Sequence, residues 1–115
     1  MPHPVVHWEI GATNAKRTQE FFAKLFDWKI DANNPLNYGM VDTGGGGING
    51  GINTAPHGVP YFVMYVQVDD LQKYLDKANA LGGEAVVPPT DIPGVGSYAF
   101  FKDPDGNIIG LFKSN

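Results

Sequence analysis

The chain has 115 residues, of which 43% are hydrophobic and 17% charged, a composition typical of one ordered globular domain rather than a disordered segment. Its net charge of −4 and the lack of any Lys or Arg cluster argue against nucleic acid or an anionic membrane as a partner. Cysteine is absent, which excludes disulfides, thiol catalysis and cysteine metal sites. We expect a soluble cytoplasmic protein, because no leader-like segment opens the chain and no apolar run approaches about 18 residues.

A strand and a helix open the chain. Residues 5–10 are rich in β-branched and aromatic side chains, which favours a strand. Asn14 is a good N-cap for a helix over residues 15–27, in which apolar side chains recur at helical spacing. These side chains are Phe21, Phe22, Leu25 and Phe26.

Three further strands and a glycine-rich segment complete the first half. Residues 28–32 and 38–42 have the pattern of short strands, and a fourth strand ends near Ile52. Six glycines lie between Gly44 and Gly51 and predict a flexible loop or a poorly packed edge, because glycine has a high backbone entropy cost. A mobile lid over a binding site is the functional interpretation that we favour for this segment. A phosphate loop is not supported, because no lysine and helix start follow.

The second half begins with the clearest strand of the sequence. Residues 61–68 are β-branched or aromatic almost throughout. Asp70 is a predicted N-cap, and Gly82 is the predicted stop of the helix that follows. The apolar stripe of this helix consists of Leu71, Tyr74, Leu75, Ala78 and Leu81.

Three more predicted strands end the chain. Residues 85–87 form one, and the prolines at 88 and 89 either end it or place it at a sheet edge. Residues 98–102 and 108–112 form a hairpin around Asp-Pro-Asp-Gly-Asn, in which Gly106 suits a positive φ.

The two halves align at a single spacing of 56 residues. At this offset the first strand, the helix cap and the next strand all match: Val5 with Tyr61, Asn14 with Asp70, and Trp28 with Glu84. We therefore predict a duplicated strand–helix–strand–strand–strand unit in a single domain over residues 1–115, with modules at about 5–54 and 61–112. The predicted fold class is α+β.

Three groups of motifs resemble one known family. They are VVHWEI with KRTQEFF and LFDW in the first half, YVQVDDL at the second strand-to-helix junction, and VPPTDIPGVG leading into DPDGN near the end. Together they resemble the vicinal-oxygen-chelate superfamily of glyoxalase, bleomycin-resistance and extradiol-dioxygenase proteins, and most of all its predicted lactoylglutathione-lyase-related subgroup. The resemblance implies two βαβββ modules that form curved mixed sheets around a cup for a ligand. Such modules pair within one chain or across a dimer.

The resemblance also implies where a metal ion would bind. Metal-using members place one ligand on the first strand and one on the last strand of each module. In this chain those positions are His7, the region of Thr54, Val63 and Gly110. Because only His7 is a good ligand, we predict no metal site of the family type and no cofactor. A different site built from His7, Glu9 and His57 stays open.

Strand alternation predicts which side chains face the cup. With His7 facing inward, Glu9 does too, whereas Trp8 packs towards the helices. In the second module, Phe62, Met64, Val66 and Val68 are predicted to form the apolar helix side. The predicted ligand-binding residues are His7, Glu9, Tyr61, Tyr65, Gln67, Tyr98, Phe100 and Phe112.

An aromatic cup with a few polar groups is typical of a small-molecule site. We therefore predict a protein that binds a small organic molecule without the family metal. The main alternative is a lyase or isomerase with Glu9 and His7 as catalytic residues, Glu9 acting as a general base if its surroundings tune its pKa. Two further hypotheses stay open. One is a metal enzyme of the glyoxalase or dioxygenase type with substituted ligands, and the other is a fold that is retained only for assembly and has no ligand in the cup.

Some of these residues also have simpler interpretations. In one interpretation, His7 and Glu9 are a hydrogen-bonded pair on a solvated sheet surface. In another, the tyrosines at 61, 65 and 98 lie in a dimer interface. His57 is expected to be exposed, or at most at the rim of a site. We expect a homodimer, because eight short strands leave a sheet face or edges to cover. The predicted partners are thus a small-molecule ligand and a second copy, with no nucleic acid and no membrane.

Overall fold

The computed structural model describes residues 3–115. Two compact units divide them: one is His7–Val63, and the other is Met64–Asn115 together with the described residues before His7. Within residues 3–115, no helix is long and apolar enough to cross a membrane.

The secondary structure repeats one order of elements twice. The elements are β1 (Val5–Ala12), α1 (Ala15–Phe26), β2 (Lys29–Asp31), β3 (Gly39–Asp42), β4 (Gly50–Thr54), β5 (Tyr61–Gln67), α2 (Leu71–Ala80), β6 (Glu84–Ile92), β7 (Gly96–Lys102) and β8 (Ile108–Ser114). The predicted α+β fold of two βαβββ modules is confirmed. The repeat spacing holds as well, because β1 begins at Val5 and β5 at Tyr61.

Both helices begin where the sequence predicts. The Asn14 side chain accepts a hydrogen bond from the Arg17 backbone N–H at 3.1 Å, and the Asp70 carboxylate does the same for Lys73 at 3.1 Å. These bonds satisfy N–H groups that have no partner within the helix. Helix α1 ends one residue earlier than predicted, because Asp27 adopts a left-handed conformation with a φ of 59°.

The four strands of the first module lie in the order β2-β3-β4-β1. Strands β1 and β4 are parallel, and the other two pairs are antiparallel. Because paired residues point to the same face, the register defines two rows on opposite faces. One row is Glu9, Gly51, Met40 and Asp31, and the other is Trp8, Gly50, Val41 and Ile30.

The Trp8 row packs on the helix side of this sheet. The rings of Trp8 and Trp28 lie 5.5 Å apart, and Trp28 stacks on Phe22 of α1 at 5.4 Å. Val41 is buried in the same row. The prediction that Trp8 packs towards a helix is confirmed, so the opposite face carries Glu9 and its row.

The glycine-rich segment is only partly a loop. Gly44–Gly47 is an exposed loop, as predicted, but Gly50 and Gly51 are buried in β4 between β3 and β1. The prediction of a flexible or poorly packed segment is therefore wrong for these two residues. The reason is close packing of aromatic rings: a Cβ at Gly50 would overlap Trp8, and one at Gly51 would overlap Tyr38. The lid interpretation stays a prediction.

The four strands of the second module lie in the order β5-β8-β7-β6. Its core is buried between α2 and the sheet and consists of Val68, Leu71, Leu75, Ala99 and Leu111. Strand β6 is longer than predicted, because it continues through the prolines at 88 and 89 with two register shifts. It lies at the end of the strand order, as the edge interpretation of the proline pair requires.

Two apolar surfaces differ from the predicted packing. Val66 packs against the core of the second module, but Phe62 and Met64, predicted on the same helix side, are exposed at 65% and 38%. The core that α2 forms reaches Val66 and Val68, whereas neither Phe62 nor Met64 belongs to it. In α1, no residue is buried, and Phe21, Leu25 and Phe26 are each more than half exposed.

Candidate functional site

Four side chains of the first unit form one hydrogen-bonded chain, the polar tetrad His7, Tyr38, Glu9 and Tyr61. The Tyr38 hydroxyl lies 2.8 Å from His7 Nε2 and donates to Glu9 Oε1 at 2.8 Å. The Tyr61 hydroxyl donates to Glu9 Oε2 at 2.5 Å. All four side chains are half-buried. The tetrad brings together a carboxylate, an imidazole and two phenols on one sheet face.

Backbone contacts and two glycines position the tyrosines. The Asn34 side chain binds the Tyr38 backbone twice, accepting from its N–H at 2.9 Å and donating to its C=O at 2.6 Å. The Tyr38 phenol covers Gly51, and the Tyr61 ring covers Gly11, so that a Cβ at either glycine would overlap a ring. The glycines therefore leave the space in which both hydroxyls reach Glu9.

The surroundings of the tetrad shift two pKa values. Burial lowers the pKa of the His7 imidazole below its ordinary value, and the nearby charge of Glu9 opposes that shift. Burial also raises the pKa of Tyr61, and its hydrogen bond to Glu9 adds to the rise. At neutral pH the site therefore presents a neutral imidazole and a neutral phenol beside a carboxylate that accepts from both tyrosines.

An open groove of about 410 Å³ lies on the same face of the first unit. Its polar and flexible lining residues are His7, Lys29, Asp31, Met40, Asp42 and Asn49. Asp31 and Met40 belong to the row of Glu9, which places the tetrad and the groove on one side of the sheet. The volume falls within the range of about 300–1,000 Å³ that is usual for small-molecule sites.

The other predicted site residues lie in the second unit and form an aromatic wall of Tyr65, Phe100 and Tyr98. The ring centroids of Tyr65 and Phe100 are 5.7 Å apart, and those of Tyr98 and Phe100 are 5.4 Å apart. Gln67 and Phe112 pair with each other, and Phe112 pairs with Tyr98. These five residues thus share one face of the strands β5, β8 and β7, as strand alternation predicts.

Two of the four positions at which the resemblance implies metal ligands offer no donor side chain. Val63 is a buried valine, and Gly110 has no side chain. The Tyr65 ring occupies the space into which a side chain at Gly110 would project. Among residues 3–115, no three His, Asp or Glu side chains gather closely enough to hold a metal ion, so His7, Glu9 and His57 do not form the alternative site.

Sequence reasoning missed one member of the site. It placed Tyr38 in a strand and gave it no role, whereas Tyr38 joins His7 to Glu9. The sequence contains a weak signal for this contact, because a tyrosine that lies flat on a sheet needs a glycine beneath it and Gly51 is available. The groove residues of β2 and β3 were also not predicted, since their faces depend on the register with β4.

The model of the Glyoxalase/Bleomycin resistance protein/Dioxygenase superfamily matches residues 5–111. The chain belongs to this superfamily. Members of it are often dimers and bind small molecules. A structure of a member from Vibrio splendidus superposes with a TM-score of 0.68 at 14% identity, covering 98% of this chain and 100% of that one, and shows the common fold.

Two curated relatives are about twice as long as this chain. CFP32 of Mycobacterium bovis, which carries a provisional name as a glyoxylase, is 30% identical over 93% of this chain and 44% of its own length. The anthracycline biosynthesis protein DnrV of Streptomyces peucetius is 21% identical over 92% of this chain and 45% of its own length. The chain therefore spans about half the length of the curated relatives that it matches.

Proposed function

We propose that this chain binds a small organic molecule on the sheet face that carries the polar tetrad, without the metal ion of its family. The observation that carries the proposal is the groove of about 410 Å³ with His7 in its lining. The groove combines an exposed methionine with a lysine, two aspartates and an asparagine amide. A few polar groups beside apolar atoms can orient a small ligand.

The aromatic wall supports binding of an apolar or aromatic group. The centroid of each of its three rings lies within 6 Å of the centroid of another ring of the wall. Aromatic rings stack favourably on flat ligands. Gln67 adds an amide to the same face. We propose the wall as a second ligand-contacting surface, so that the predicted ligand-binding residues remain candidates in both units.

The proposal of a metal-free site is supported by the chemistry of the ligand positions. One histidine and solvent would hold a divalent ion weakly. Elemental analysis of protein purified without chelator should find less than about a tenth of an equivalent of Ni, Zn, Fe or Mn. A stoichiometric ion that survives dialysis would overturn this part of the proposal.

Ligand binding can be tested by thermal unfolding with a compound panel. The panel contains planar aromatic compounds, amines, polyols and carboxylic acids. A compound present at 100 times its dissociation constant stabilises the folded state by about 2.7 kcal/mol. We expect at least one class to raise the Tm of the wild type and to lose this effect in His7→Gln. The exposed His57 provides the control, and His57→Gln should retain the effect. A panel without any shift would contradict the proposal.

A second candidate function is a metal-independent lyase or isomerase reaction. The specific observation that favours it is the hydrogen-bonded chain from the neutral His7 through Tyr38 to Glu9. Such a chain can hold an imidazole in one orientation for proton transfer. If a compound is found that the wild type converts, His7→Gln and Glu9→Gln should each abolish its conversion while the protein stays folded. Unchanged turnover in both variants would exclude the tetrad from catalysis.

We also propose a cytoplasmic homodimer. Support for the dimer comes from Phe21, Leu25 and Phe26, which expose apolar surface along one helix. Light scattering at micromolar concentration should give twice the mass of one chain, and Leu25→Glu should shift the protein to a monomer. The control is Lys24→Glu, which adds the same side chain at a neighbouring exposed position. A monomeric wild type would contradict the dimer.

A further inference from the structure

A second groove, of about 300 Å³, lies in the second unit on the side of the strands that α2 covers. Its apolar floor consists of Val66, Leu111 and Phe101. Tyr65 and Phe100 precede two of these residues along their strands and therefore point to the opposite face, which carries the aromatic wall. This helix-side groove shares no lining residue with the groove beside the polar tetrad.

Helix α2 and its C-cap residue form one wall of the helix-side groove. The residues that line it recur at intervals of three and four positions and so lie on one helix face; they are Tyr74, Lys77, Ala78 and Leu81. Leu81 is 71% exposed. An exposed leucine next to an apolar floor offers a surface that a hydrocarbon chain can cover favourably.

Basic residues border this apolar surface. Lys77 is exposed and lines the groove, and Lys102 and His3 line it as well. The Tyr74 hydroxyl lies 3.0 Å from His3 Nε2, and Lys73 Nζ lies 5.6 Å from the centroid of the Tyr74 ring. A ligand that places a negative group at this border and an apolar group on the floor would match both parts of the groove.

The acidic residue that lines the groove uses its carboxylate in the β7–β8 turn. Asp103 Oδ1 accepts from the backbone N–H groups of Asp105 at 3.0 Å and Asn107 at 2.8 Å. Its Oδ2 accepts from the Asn107 side chain at 2.8 Å. Both oxygens are thus engaged within the turn, and Lys77 is the charged side chain that α2 offers to a ligand.

We propose that the helix-side groove binds a small apolar carboxylic acid, with its hydrocarbon part on the floor and its carboxylate at Lys77. Burial of the hydrocarbon removes apolar surface from water, and a lysine ammonium forms a charge-assisted hydrogen bond with a carboxylate. A volume of about 300 Å³ is at the lower end of the range for small-molecule sites, which limits the acid to a small one. This site does not depend on the function proposed for the polar tetrad.

Isothermal titration calorimetry with octanoate, below the concentration at which it forms micelles, tests the chemistry of the ligand. Shortening the chain to heptanoate should raise the Kd about fourfold, the factor for one buried methylene. Octanol and octylamine keep the chain and replace the carboxylate, and each should bind at least about fivefold more weakly than octanoate. Absence of octanoate binding, or equal affinity for the three head groups, would overturn the proposal.

Two variants test the position of the ligand. Lys77→Gln should raise the Kd of octanoate about fivefold and leave that of octanol unchanged. Lys16→Gln, which removes an exposed lysine of α1, is the matched control and should bind octanoate like the wild type. Ala78→Leu fills the groove with a good helix former and should abolish octanoate binding. If Ala78→Leu does not fold, the exposed Lys77→Gln still decides the test, because unchanged octanoate affinity in this variant would overturn the proposal.

Backbone ¹H–¹⁵N spectra distinguish this site from the groove beside the polar tetrad. Octanoate should shift signals of residues 74–83 and 101–103 and should bind His7→Gln with wild-type affinity. Shifts confined to residues 29–42, with loss of binding in His7→Gln, would overturn this proposal and support the proposed function. Octanoate binding at residues 74–83 together with a compound panel that finds no ligand dependent on His7 would have the opposite meaning.

Discussion

The phenol of Tyr38 lies over Gly51, in the space that a side chain at position 51 would take. The same relationship recurs at Tyr61 over Gly11, Trp8 over Gly50 and Tyr65 over Gly110. Four glycines of the sheets thus provide the surface on which four aromatic rings lie. Their role is to leave space rather than to bend the backbone, because none of the four has a positive φ.

Gly51→Ala tests this packing. The new Cβ would push the Tyr38 ring away from the sheet, and we expect a loss of about 1–3 kcal/mol in the free energy of unfolding, as for an overpacked core. Urea unfolding measures it. Gly47→Ala is the matched control, because its Cβ would meet only Thr43 Oγ1 at 3.5 Å. Equal stability of the two variants would contradict the packing role of Gly51.

Tyr61→Phe tests the second phenol of the tetrad. The raised pKa of Tyr61 means that the folded chain keeps its phenol neutral above about pH 10, the ordinary tyrosine value, where the unfolded chain loses the proton. The contribution of Tyr61 to the free energy of unfolding is therefore complete below about pH 10. It is lost as the pH rises through the pKa that Tyr61 has in the folded state. Phenolate absorbance should show one fewer late-titrating tyrosine in Tyr61→Phe than in the wild type. Tyr98→Phe should leave the late titration unchanged.

His7 should make stability depend on mildly acidic pH. Because its pKa is lowered in the folded state, the unfolded chain takes up a proton first as pH falls below about 6.5. The stabilisation is full above that value and is lost as pH falls through the folded pKa. Urea unfolding between pH 5 and 8 should show a steeper loss for the wild type than for His7→Gln. His57→Gln should show the same pH dependence of stability as the wild type. If the pH dependence is weakened in His57→Gln and unchanged in His7→Gln, the effect does not come from His7.

Gly110→Glu restores a carboxylate at the position where the family resemblance implies a metal ligand. We expect no gain in metal binding, because the Tyr65 ring already occupies the space of the new side chain. The overlap should instead lower the free energy of unfolding by about 1–3 kcal/mol. Thermal unfolding with and without Mn²⁺ or Ni²⁺ measures both effects. A rise in Tm with metal in the variant alone would show that one residue suffices to rebuild the site.

Local signals predicted the fold, and pairing between distant strands limited the prediction of the site. Asn14, Asp70 and Gly106 act through contacts within a few residues, so their roles could be inferred from the sequence alone. The role of Tyr38 depends on the register that places Gly51 beside Glu9, and no local pattern encodes that register. The prediction that Phe62 packs on the helix side was wrong for a related reason. Strand alternation assigns a side chain to a face of the sheet, but it does not show whether another element covers that face.

The proline pair of β6 has a consequence for how the protein behaves among other chains. Strand β6 is the last in the order of its sheet, and its outer side offers backbone groups to any extended segment. Residues 88 and 89 carry no N–H, and the register shifts beside them break the regular spacing of donors and acceptors. A foreign strand therefore finds no continuous ladder to extend. The β6 edge of the sheet therefore resists growth into aggregates.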